Sequence, residues 1–408
     1  MSGTPAVATL TERRRFRPLS RPAAFRSVAL IFVLFLAASS VPSPLYVVYQ
    51  QQWGFSAMTL TVVFAVYVLG MLASLLVVGA LSDHVGRRPV LAGAIVGEIV
   101  ALVLFLVAGD VGALLAARVV QGLATGAAMS VLGAALVDLT PPHAPGRAGV
   151  INSIAPSTGL ALGALGCGAL VQFAPAPTRL VYVLLLVGMA VALVLVASLP
   201  ETAVRRPGVL ASLAPRLGVP ARLRSDLLAL VPVLIASWSL GGLYLSLGSS
   251  VAAGLLGLTN HFVGGLVVTL LCGTGALTSL VLRSVPVAVA LRAGAALLTA
   301  GMAITLAGLL GGVAALVVAG TVVAGAGFGA SALGSFGTLA RLAAPAERGE
   351  LFAVVYVISY LAFSIPAVIA GFAATAVGLR PTALVYGFVV GGLALVAVVA
   401  QRVRGARA

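Results

Sequence analysis

Residues 79–91 read GALSDHVGRRPVL and form a short hydrophilic turn between two long apolar runs. Within ten residues the turn places the carboxylate of Asp83, the conformationally free Gly86 and the adjacent pair Arg87 and Arg88. An apolar run of about 20 residues is what an α-helix needs to cross the hydrocarbon core of a bilayer. The turn therefore predicts two membrane helices joined at one face of a bilayer, with fixed charges held at that face.

The composition of the whole chain is that of a membrane protein. Hydrophobic residues make up 61% of the 408 residues and charged residues 8%, and the mean hydropathy is +1.19. A water-soluble domain of this size needs a polar exterior, which so few polar side chains cannot supply. Lipid is therefore the solvent expected for most of the chain.

Twelve apolar segments remain when the chain is divided at its clusters of charge and proline. Each is close to the length of one membrane-spanning helix. They cover residues 27–49, 57–80, 90–108, 111–137, 148–173, 180–199, 227–256, 262–282, 287–309, 313–338, 351–377 and 381–401. Barrel strands alternate polar and apolar residues over about ten positions, whereas these segments are continuously apolar. The prediction is an all-α membrane protein.

The positions of the basic residues indicate the topology of the chain in the membrane. All 24 are arginines, and 21 of them fall on cytoplasmic segments if the N-terminus is inside. This positive-inside bias predicts that both termini are cytoplasmic. The net charge of +15 then favours anionic lipid headgroups, and not nucleic acid, as the partner. A basic set made of arginine alone also suggests a GC-rich bacterial genome, and hence the bacterial inner membrane.

The chain divides into two halves of six segments. A polar stretch with five arginines and four prolines separates them. A proline-rich turn with an arginine precedes the fifth segment at Arg147 and the eleventh at Arg348. The predicted parts are a basic cytoplasmic tail (1–26), an N-terminal bundle (27–199), a cytoplasmic linker (200–226), a C-terminal bundle (227–401) and a second tail (402–408). Such internal repeats favour alternating access, with a site between the halves near the midplane.

Several motifs resemble those of the major facilitator superfamily. The opening turn matches the signature between helices 2 and 3 of that family at Gly79, Leu81, Asp83, Gly86, Arg87 and Arg88. The stretch RVVQGLATGAA (118–128) is similar to the helix 4 motif, and Asp138 and Arg147 match the acid and base that flank the next cytoplasmic turn. The resemblance implies a secondary transporter with twelve helices in two six-helix bundles, related by a pseudo-two-fold axis.

The opening turn has the features of a gate. Asp83 ends the second segment on the face where the eleventh segment begins, and the N-terminal dipole of that helix attracts a carboxylate. We expect this contact to hold the outward-facing state, and Arg87 or Arg88 to pair with Asp138. If the arginines only anchored the topology, Asp83 would not be required. The predicted gate comprises Gly79, Asp83, Gly86, Arg87, Arg88, Asp138 and Arg147.

Arg118 and Glu98 are the charges predicted within the membrane. Arg118 lies about eight residues into the fourth segment, where a charge costs at least ~2.5 kcal/mol and needs a partner. Glu98 falls within about one helical turn of it in depth, and the resemblance implies a role for Arg118 in proton coupling. We expect Glu98 to titrate, because burial favours the neutral acid whereas a guanidinium favours the carboxylate. The alternatives are a static salt bridge and a snorkelling side chain.

The repeat predicts that segments 1, 4, 7 and 10 line a central cavity, with a contribution from segment 11. The candidate substrate contacts are Tyr46, Gln121, Trp238, Tyr244, Phe328, Tyr356 and Tyr360. Arg118 is the one charge expected there, so the lining favours a neutral or amphipathic, partly apolar small molecule. The alternative at each position is helix packing or an interfacial aromatic.

Exporters of the drug antiporter type resemble this chain. Their fifth helix ends in GPxxGG, which here reads GALGCG between Gly163 and Gly168, without the proline. The main prediction is proton-coupled efflux of hydrophobic or amphipathic molecules. The alternatives are proton-linked import of a neutral nutrient and a membrane receptor that does not transport.

Other classes of function have little support. No ATP-binding GxxxxGK sequence is present, so an ion gradient is the expected source of energy. No nucleophile and base share a predicted face, so we expect no enzyme activity. Cys167 and Cys272 have no metal-ligand spacing, and neither a metal nor a cofactor is expected. We expect a monomer in the bilayer.

Overall fold

The computed structural model describes residues 19–144, 146–203, 207–215, 217–258, 260–344 and 347–405. Most of the first predicted tail (1–18), the end of the second (406–408) and parts of the linker (204–206 and 216) lie outside the described residues. The long helices are α1 (Arg21–Ser40, continued by Pro42–Trp53), α2 (Ala57–Val78), α3 (Arg87–Val107), α4 (Val111–Leu139), α5 (Arg147–Phe173), α6 (Leu180–Ala197), α7 (Arg224–Ser246, continued by Gly248–Leu256), α8 (His261–Val281), α9 (Val287–Gly311), α10 (Ala314–Leu342), α11 (Arg348–Val377) and α12 (Leu379–Gly405). Short helices at Leu81–Val85 and Val209–Ser212, and 3-10 turns at Ala221–Leu223 and Leu282–Ser284, complete the described elements.

All twelve predicted spans are confirmed as helices long and apolar enough to cross a membrane. The largest difference is at the start of α1, which begins at Arg21 instead of residue 27. Pro22 lies in the first turn of this helix, where its fixed φ angle is favourable and its missing N–H has no partner to lose. The helix therefore starts before the apolar run does.

Two of the helices that line the bundle interface are interrupted. α1 is divided at Val41, immediately before Pro42 and close to Pro44, because proline cannot donate the helical hydrogen bond. α7 is divided at Leu247. The interruptions face each other, since the Ser43 hydroxyl donates a 2.6 Å hydrogen bond to the carbonyl oxygen of Leu245.

The helices form two six-helix bundles, α1 to α6 and α7 to α12. In the N-terminal bundle α4 packs against α1, α2 and α3, and in the C-terminal bundle α10 packs against α7, α8 and α9. The bundles meet along two seams, one between α2 and α11 and one between α5 and α8. α2 is equivalent to α8 in the other half, and α5 to α11. The two seams are therefore equivalent to each other, as expected for two halves related by a pseudo-two-fold axis.

The bundles are joined at one face of the membrane. We call the face at which α1 begins and α12 ends the near face, and the opposite one the far face. At the far face the Met58 amide donates a 3.2 Å hydrogen bond to the Thr375 hydroxyl, and the His261 amide donates one of 3.1 Å to the side-chain oxygen of Gln172. The chain is therefore described in a conformation closed at its far face.

Candidate functional site

The turn after α2 depends on Gly86. Its φ of 114° is one that side chains other than glycine rarely adopt. A Cβ atom at this position would also lie 2.7 Å from a carboxylate oxygen of Glu201. Gly86 therefore permits both the reversal of the chain into α3 and the close approach of Glu201. Gly79 lies at the other end of the turn, as the residue that directly follows α2 and caps its C-terminus.

Arg87 binds two carboxylates at the near face. It forms a 2.6 Å ion pair with Asp83, four residues earlier, and a 3.2 Å ion pair with Asp138 at the end of α4. It also donates a 2.6 Å hydrogen bond to Ser82. The carboxylate of Asp83 thus binds within its own bundle, and its contact with the start of α11 stays a prediction for the opposite conformation.

The other arginines of the predicted gate have different roles. Arg88 donates hydrogen bonds of 3.2 and 2.5 Å to the carbonyl oxygens of Val196 and Ala197, at the end of α6. A cation is favourable at the C-terminal end of a helix dipole. The guanidinium of Arg147 lies 6.0 Å from the ring centre of Phe25. Arg147 therefore fixes the start of α5 against α1, away from the carboxylates.

Glu201 and Thr202 complete this cluster and are not among the residues predicted for the gate. The Glu201 carboxylate accepts hydrogen bonds of 2.8 and 3.2 Å from the amides of Arg87 and Arg88. Thr202 donates one of 2.9 Å to Asp138. An acid at a helix N-terminus satisfies free amides and opposes the dipole. The sequence feature that could have predicted this contact is an acidic residue directly after α6, at the face where α3 begins.

Replacing Glu201 by glutamine is expected to destabilise the protein by about 1 kcal/mol, the usual cost of a lost N-terminal cap. The amides at the start of α3 would lose their anionic acceptor. Thermal unfolding of the detergent-solubilised protein measures this change. Glu350→Gln, at an exposed position in the first turn of α11, is the matched control. It loses a similar interaction with a helix dipole but no hydrogen bond to a helix N-terminal amide, so it should lower the transition less. Equal transitions for Glu201→Gln and the control would contradict the capping role.

A second polar cluster lies buried within the N-terminal bundle, between α1, α3 and α4. Glu98, Arg118 and Gln121 are all fully buried. Arg118 donates a 2.7 Å hydrogen bond to the side-chain oxygen of Gln121, whose amide donates one of 3.0 Å to Glu98. Among the described residues, Glu98 and Arg118 are therefore joined through Gln121 and not by a direct ion pair. We call this set the Glu98 network.

Arg118 is held by further contacts. It donates to the hydroxyl of Tyr46 through two of its nitrogens, one of them at 3.0 Å, and to the carbonyl oxygen of Ser39 at 3.1 Å. Its guanidinium carbon lies 4.9 Å from the ring centre of Tyr67, a favourable cation–π distance. One carboxylate oxygen of Glu98 has no hydrogen-bond partner in the described residues. A proton could bind to that oxygen without displacing any hydrogen bond of the network.

The family model described as Major Facilitator Superfamily matches residues 28–302, more than half of the chain. The chain belongs to the Major Facilitator Superfamily. It is thus a secondary transporter of the membrane, and its α2–α3 turn and α4 are the elements that carry the superfamily motifs in this sequence.

Individual members of the superfamily are distant. The MFS-type transporter paaT of Penicillium rubens is 28% identical over 142 residues, a match that spans 35% of this chain and 25% of paaT. The human organic anion transporter MFSD10 is 19% identical, with a TM-score of 0.69 over 94% of this chain and 100% of that one. A bacterial homologue of the human lysosomal transporter Spinster is 15% identical, with a TM-score of 0.74 over 94% and 97%. These two structures share the fold.

Three of the seven predicted substrate contacts come together between the bundles of this superfamily fold. The ring centres of Trp238 and Tyr360 are 5.0 Å apart, and those of Tyr356 and Tyr360 are 6.0 Å apart. The Tyr360 hydroxyl reaches across to the sulfur of Met129 on α4, at 3.7 Å. These four side chains form an aromatic and thioether surface near the midplane, which we call the interface cluster.

Each of the other four predicted substrate contacts lies inside a single bundle, two in the N-terminal and two in the C-terminal one. Tyr46 and Gln121 belong to the Glu98 network. Tyr244 is hydrogen-bonded at 2.7 Å to Thr321 inside the C-terminal bundle. Phe328 packs beside Gly275 of α8, where an added Cβ atom would lie 3.1 Å from its ring. Sequence reasoning also missed Met129, because an isolated methionine on an apolar helix gives no signal.

The two glycines of the α5 motif serve different neighbours. A Cβ atom at Gly163 would lie 2.6 Å from the Cα atom of Ala37, so this glycine admits α1. A Cβ atom at Gly168 would lie 3.1 Å from the Cα atom of Gly265 on α8. Close helix contact through small residues is the usual means of association in lipid. Gly168 therefore belongs to the seam between the bundles.

Proposed function

We propose that this transporter is a proton-coupled exporter of hydrophobic or amphipathic small molecules. The observation on which the proposal rests is the position of Tyr67 on α2. One side of its ring faces the guanidinium of Arg118 at 4.9 Å. The same side chain packs in an apolar cluster with Phe64, Tyr360 and Phe363, which joins the two bundles. A single residue thus contacts both the buried charges and the seam that must open.

The coupling follows from this arrangement. A proton on Glu98 removes the negative charge nearest to the Arg118 guanidinium. The balance between its hydrogen bonds and its cation–π contact with Tyr67 then changes, and such contacts contribute on the order of 1 to 2 kcal/mol in a desolvated site. Tyr67 transmits the change to the α2–α11 seam. Proton binding in one bundle is in this way linked to separation of the two.

The interface cluster supports the substrate class. Trp238, Tyr356 and Tyr360 offer large apolar faces with polar edges, and Met129 adds a side chain that adapts to different shapes. The cluster itself has no fixed charge. A planar, amphipathic compound fits this lining better than a sugar phosphate or a dicarboxylate.

Under this proposal the near face is the cytoplasmic one, which the arginine bias favours. The described conformation, closed at the far face, is then the one that takes up a substrate from the inside. In the opposite conformation the near ends of the bundles approach, and Asp83 reaches the start of α11. We expect the bacterial inner membrane as the location.

Glu98→Gln is expected to abolish proton-driven transport while leaving gradient-free exchange of substrate intact. The glutamine keeps the hydrogen bond to Gln121 but cannot release a proton. The measurement is uptake of the lipophilic dye ethidium into proteoliposomes with an acidic interior, compared with exchange at equal pH. Glu350→Gln is the control for an exposed acid.

Three results would change the proposal. Proton movement driven by ethidium that persists in Glu98→Gln would assign coupling to another group. No ethidium transport by the intact protein would contradict export of this class of compound and favour import of a neutral nutrient. Ethidium transport that is indifferent to pH would contradict proton coupling.

Paired cysteines at Met58 and Thr375 are expected to stop transport when oxidised. The backbone amide of Met58 donates a 3.2 Å hydrogen bond to the Thr375 hydroxyl. The two residues are therefore in contact, which makes them candidates for a cysteine pair. The bond would hold the far face closed. Ethidium exchange is measured before and after reduction, in a background where the buried Cys167 and Cys272 are replaced by alanine. Each single cysteine is a control, and full exchange in the oxidised pair would show that the far face need not open.

A further inference from the structure

The linker between the bundles lies on both of the turns that approach when the near face closes. Its short helix Val209–Ser212 packs against the short helix Leu81–Val85 of the α2–α3 turn. Further along the linker, a Cβ atom at Gly218 would lie 3.4 Å from the Cβ atom of Glu350, in the first turn of α11. The linker therefore connects the turn that carries Asp83 with the start of α11.

The start of α11 already carries negative charge. The Glu347 carboxylate accepts a 3.1 Å hydrogen bond from the amide of Ala344, and Glu350 follows in the first turn of the helix. Acids at this position offset the positive end of the helix dipole. A third carboxylate would be repelled by these two, so Asp83 needs a cation when it approaches.

Arg222, near the end of the linker, is a cation held at this place. It forms an ion pair with Glu347 and donates a 3.0 Å hydrogen bond to the carbonyl oxygen of Leu342, the last residue of α10. Its side chain is still 53% exposed, and a guanidinium has five donors. Arg222 therefore has donors left for a second carboxylate.

A comparison of the two halves shows that capping α10 does not require the ion pair. Arg21, the first residue of α1, donates a 2.9 Å hydrogen bond to the carbonyl oxygen of Asp138, in the last turn of α4. Each half thus has an arginine that caps its fourth helix. The residue before α5, however, is Gly146, whereas the one before α11 is Glu347. The acid that holds Arg222 beside α11 is present in the C-terminal half alone.

Asp83 is accessible on the other side of the opening. Its side chain is 46% exposed, and its 2.6 Å ion pair with Arg87 uses one oxygen, which leaves the second oxygen for another donor. Arg87 itself binds both Asp83 and Asp138. One guanidinium of this protein can therefore hold two carboxylates at the near face.

We propose that Arg222 binds Asp83 when the near face closes. Glu347 then holds the guanidinium of Arg222 in place, as Asp138 holds that of Arg87. Charges of opposite sign alternate across the junction, in the order Asp138, Arg87, Asp83, Arg222 and Glu347. The linker in this way supplies one side of the contact that keeps the near face closed.

The inference rests on that part of the proposed function in which the near ends of the bundles approach. Two alternating conformations are the usual behaviour of this fold. Neither export nor proton coupling is needed, and the experiments measure conformation and not transport. Their failure is therefore distinct from a failure of proton-driven ethidium transport.

Electron–electron double resonance between two spin labels measures the populations of the two conformations in lipid nanodiscs. The labels are placed at His143→Cys and Ser284→Cys, which are exposed near-face turns of different bundles, with Cys167 and Cys272 replaced by alanine. We expect Arg222→Gln to lower the ratio of protein closed at the near face to protein open there about threefold, as for the loss of one exposed ion pair.

Three further variants show whether this change belongs to the proposed pair. Asp83→Asn should lower the ratio by a similar factor, and the double variant should lower it no further. Arg348→Gln is the matched control, because this exposed arginine of the same turn donates to the carbonyl oxygen of Ala343, and it should leave the ratio unchanged. Multiplying effects in the double variant, or an equal effect of Arg348→Gln, would overturn the pair.

Chemical cross-linking decides the question if the intact protein populates one conformation alone. An ion pair between long side chains leaves the Cα atoms farther apart than a disulfide allows, so Asp83→Cys and Arg222→Cys are joined with a short bifunctional maleimide. Mass spectrometry should detect this cross-link in liposomes and should not detect one between Asp83→Cys and Arg292→Cys, at an exposed arginine near the start of α9. No cross-link in the first pair, or equal yields in both, would contradict the proposal.

Discussion

Arg118→Ala is expected to eliminate proton-driven transport and to destabilise the N-terminal bundle by about 3 kcal/mol, the lower end of the cost of leaving a buried charge uncompensated. The substitution removes the donor to Tyr46, to Gln121 and to the carbonyl oxygen of Ser39. It also leaves Glu98 buried without a compensating charge. Ethidium uptake driven by a pH gradient and thermal unfolding measure the two effects.

Two further substitutions separate charge from geometry at this site. Arg118→Lys keeps the positive charge but cannot bind Tyr46 and Gln121 together, because an ammonium group lacks the planar fork of donors. It should fall between Arg118→Ala and the intact protein in stability. Arg26→Ala removes an exposed arginine at the near face and is the matched control, with proton coupling retained. Intact coupling in Arg118→Ala would show that the network is only structural.

Gly122→Ala is expected to prevent assembly of a stable N-terminal bundle. A Cβ atom there would lie 3.0 Å from both the amide nitrogen of Met71 and the carbonyl carbon of Tyr67. Both are backbone atoms of α2, which cannot move aside as a side-chain end can. The helices must separate, and the loss of close packing typically costs 1 to 3 kcal/mol or more. Size-exclusion chromatography and thermal unfolding in detergent measure the result.

Gly133→Ala on the same helix is the control for this effect. Its Cβ atom would meet only the side-chain oxygen of Asn152, at an ordinary distance of 3.7 Å. Alanine is a better helix former than glycine by about 1 kcal/mol, so this variant should be as stable as the intact protein or more stable. A stable Gly122→Ala would mean that α2 and α4 are less closely packed than described.

The fold could be predicted because its main determinant, the length of each apolar segment, can be read directly from the sequence. Interruptions by charge and proline located all twelve helices, and the motif at Gly86 identified the α2–α3 turn. What was missed lies in the linker. Glu201 reaches Arg87 across more than a hundred residues of chain, and no local pattern connects them.

The site was harder to predict, because helix rotation is poorly encoded in a lipid-embedded chain. In water the buried face of a helix is its apolar stripe, but here the faces toward lipid and protein are both apolar. Tyr67 and Met129 therefore carried no signal. The similar depth of Glu98 and Arg118 in the membrane was predictable, and the two residues do belong to one network. The bridging role of Gln121 was not, because it depends on side-chain geometry that residue spacing does not specify.

The far-face closure is built from many weak contacts, and this has a consequence for turnover. Single hydrogen bonds such as Ser43 to Leu245 and Met58 to Thr375 each contribute about 1 kcal/mol net. One charge crossing a potential of 100 mV releases about 2.3 kcal/mol. The free energy of a single ion therefore offsets the loss of about two of these bonds. A seam of this kind can open stepwise, without one rate-limiting rupture.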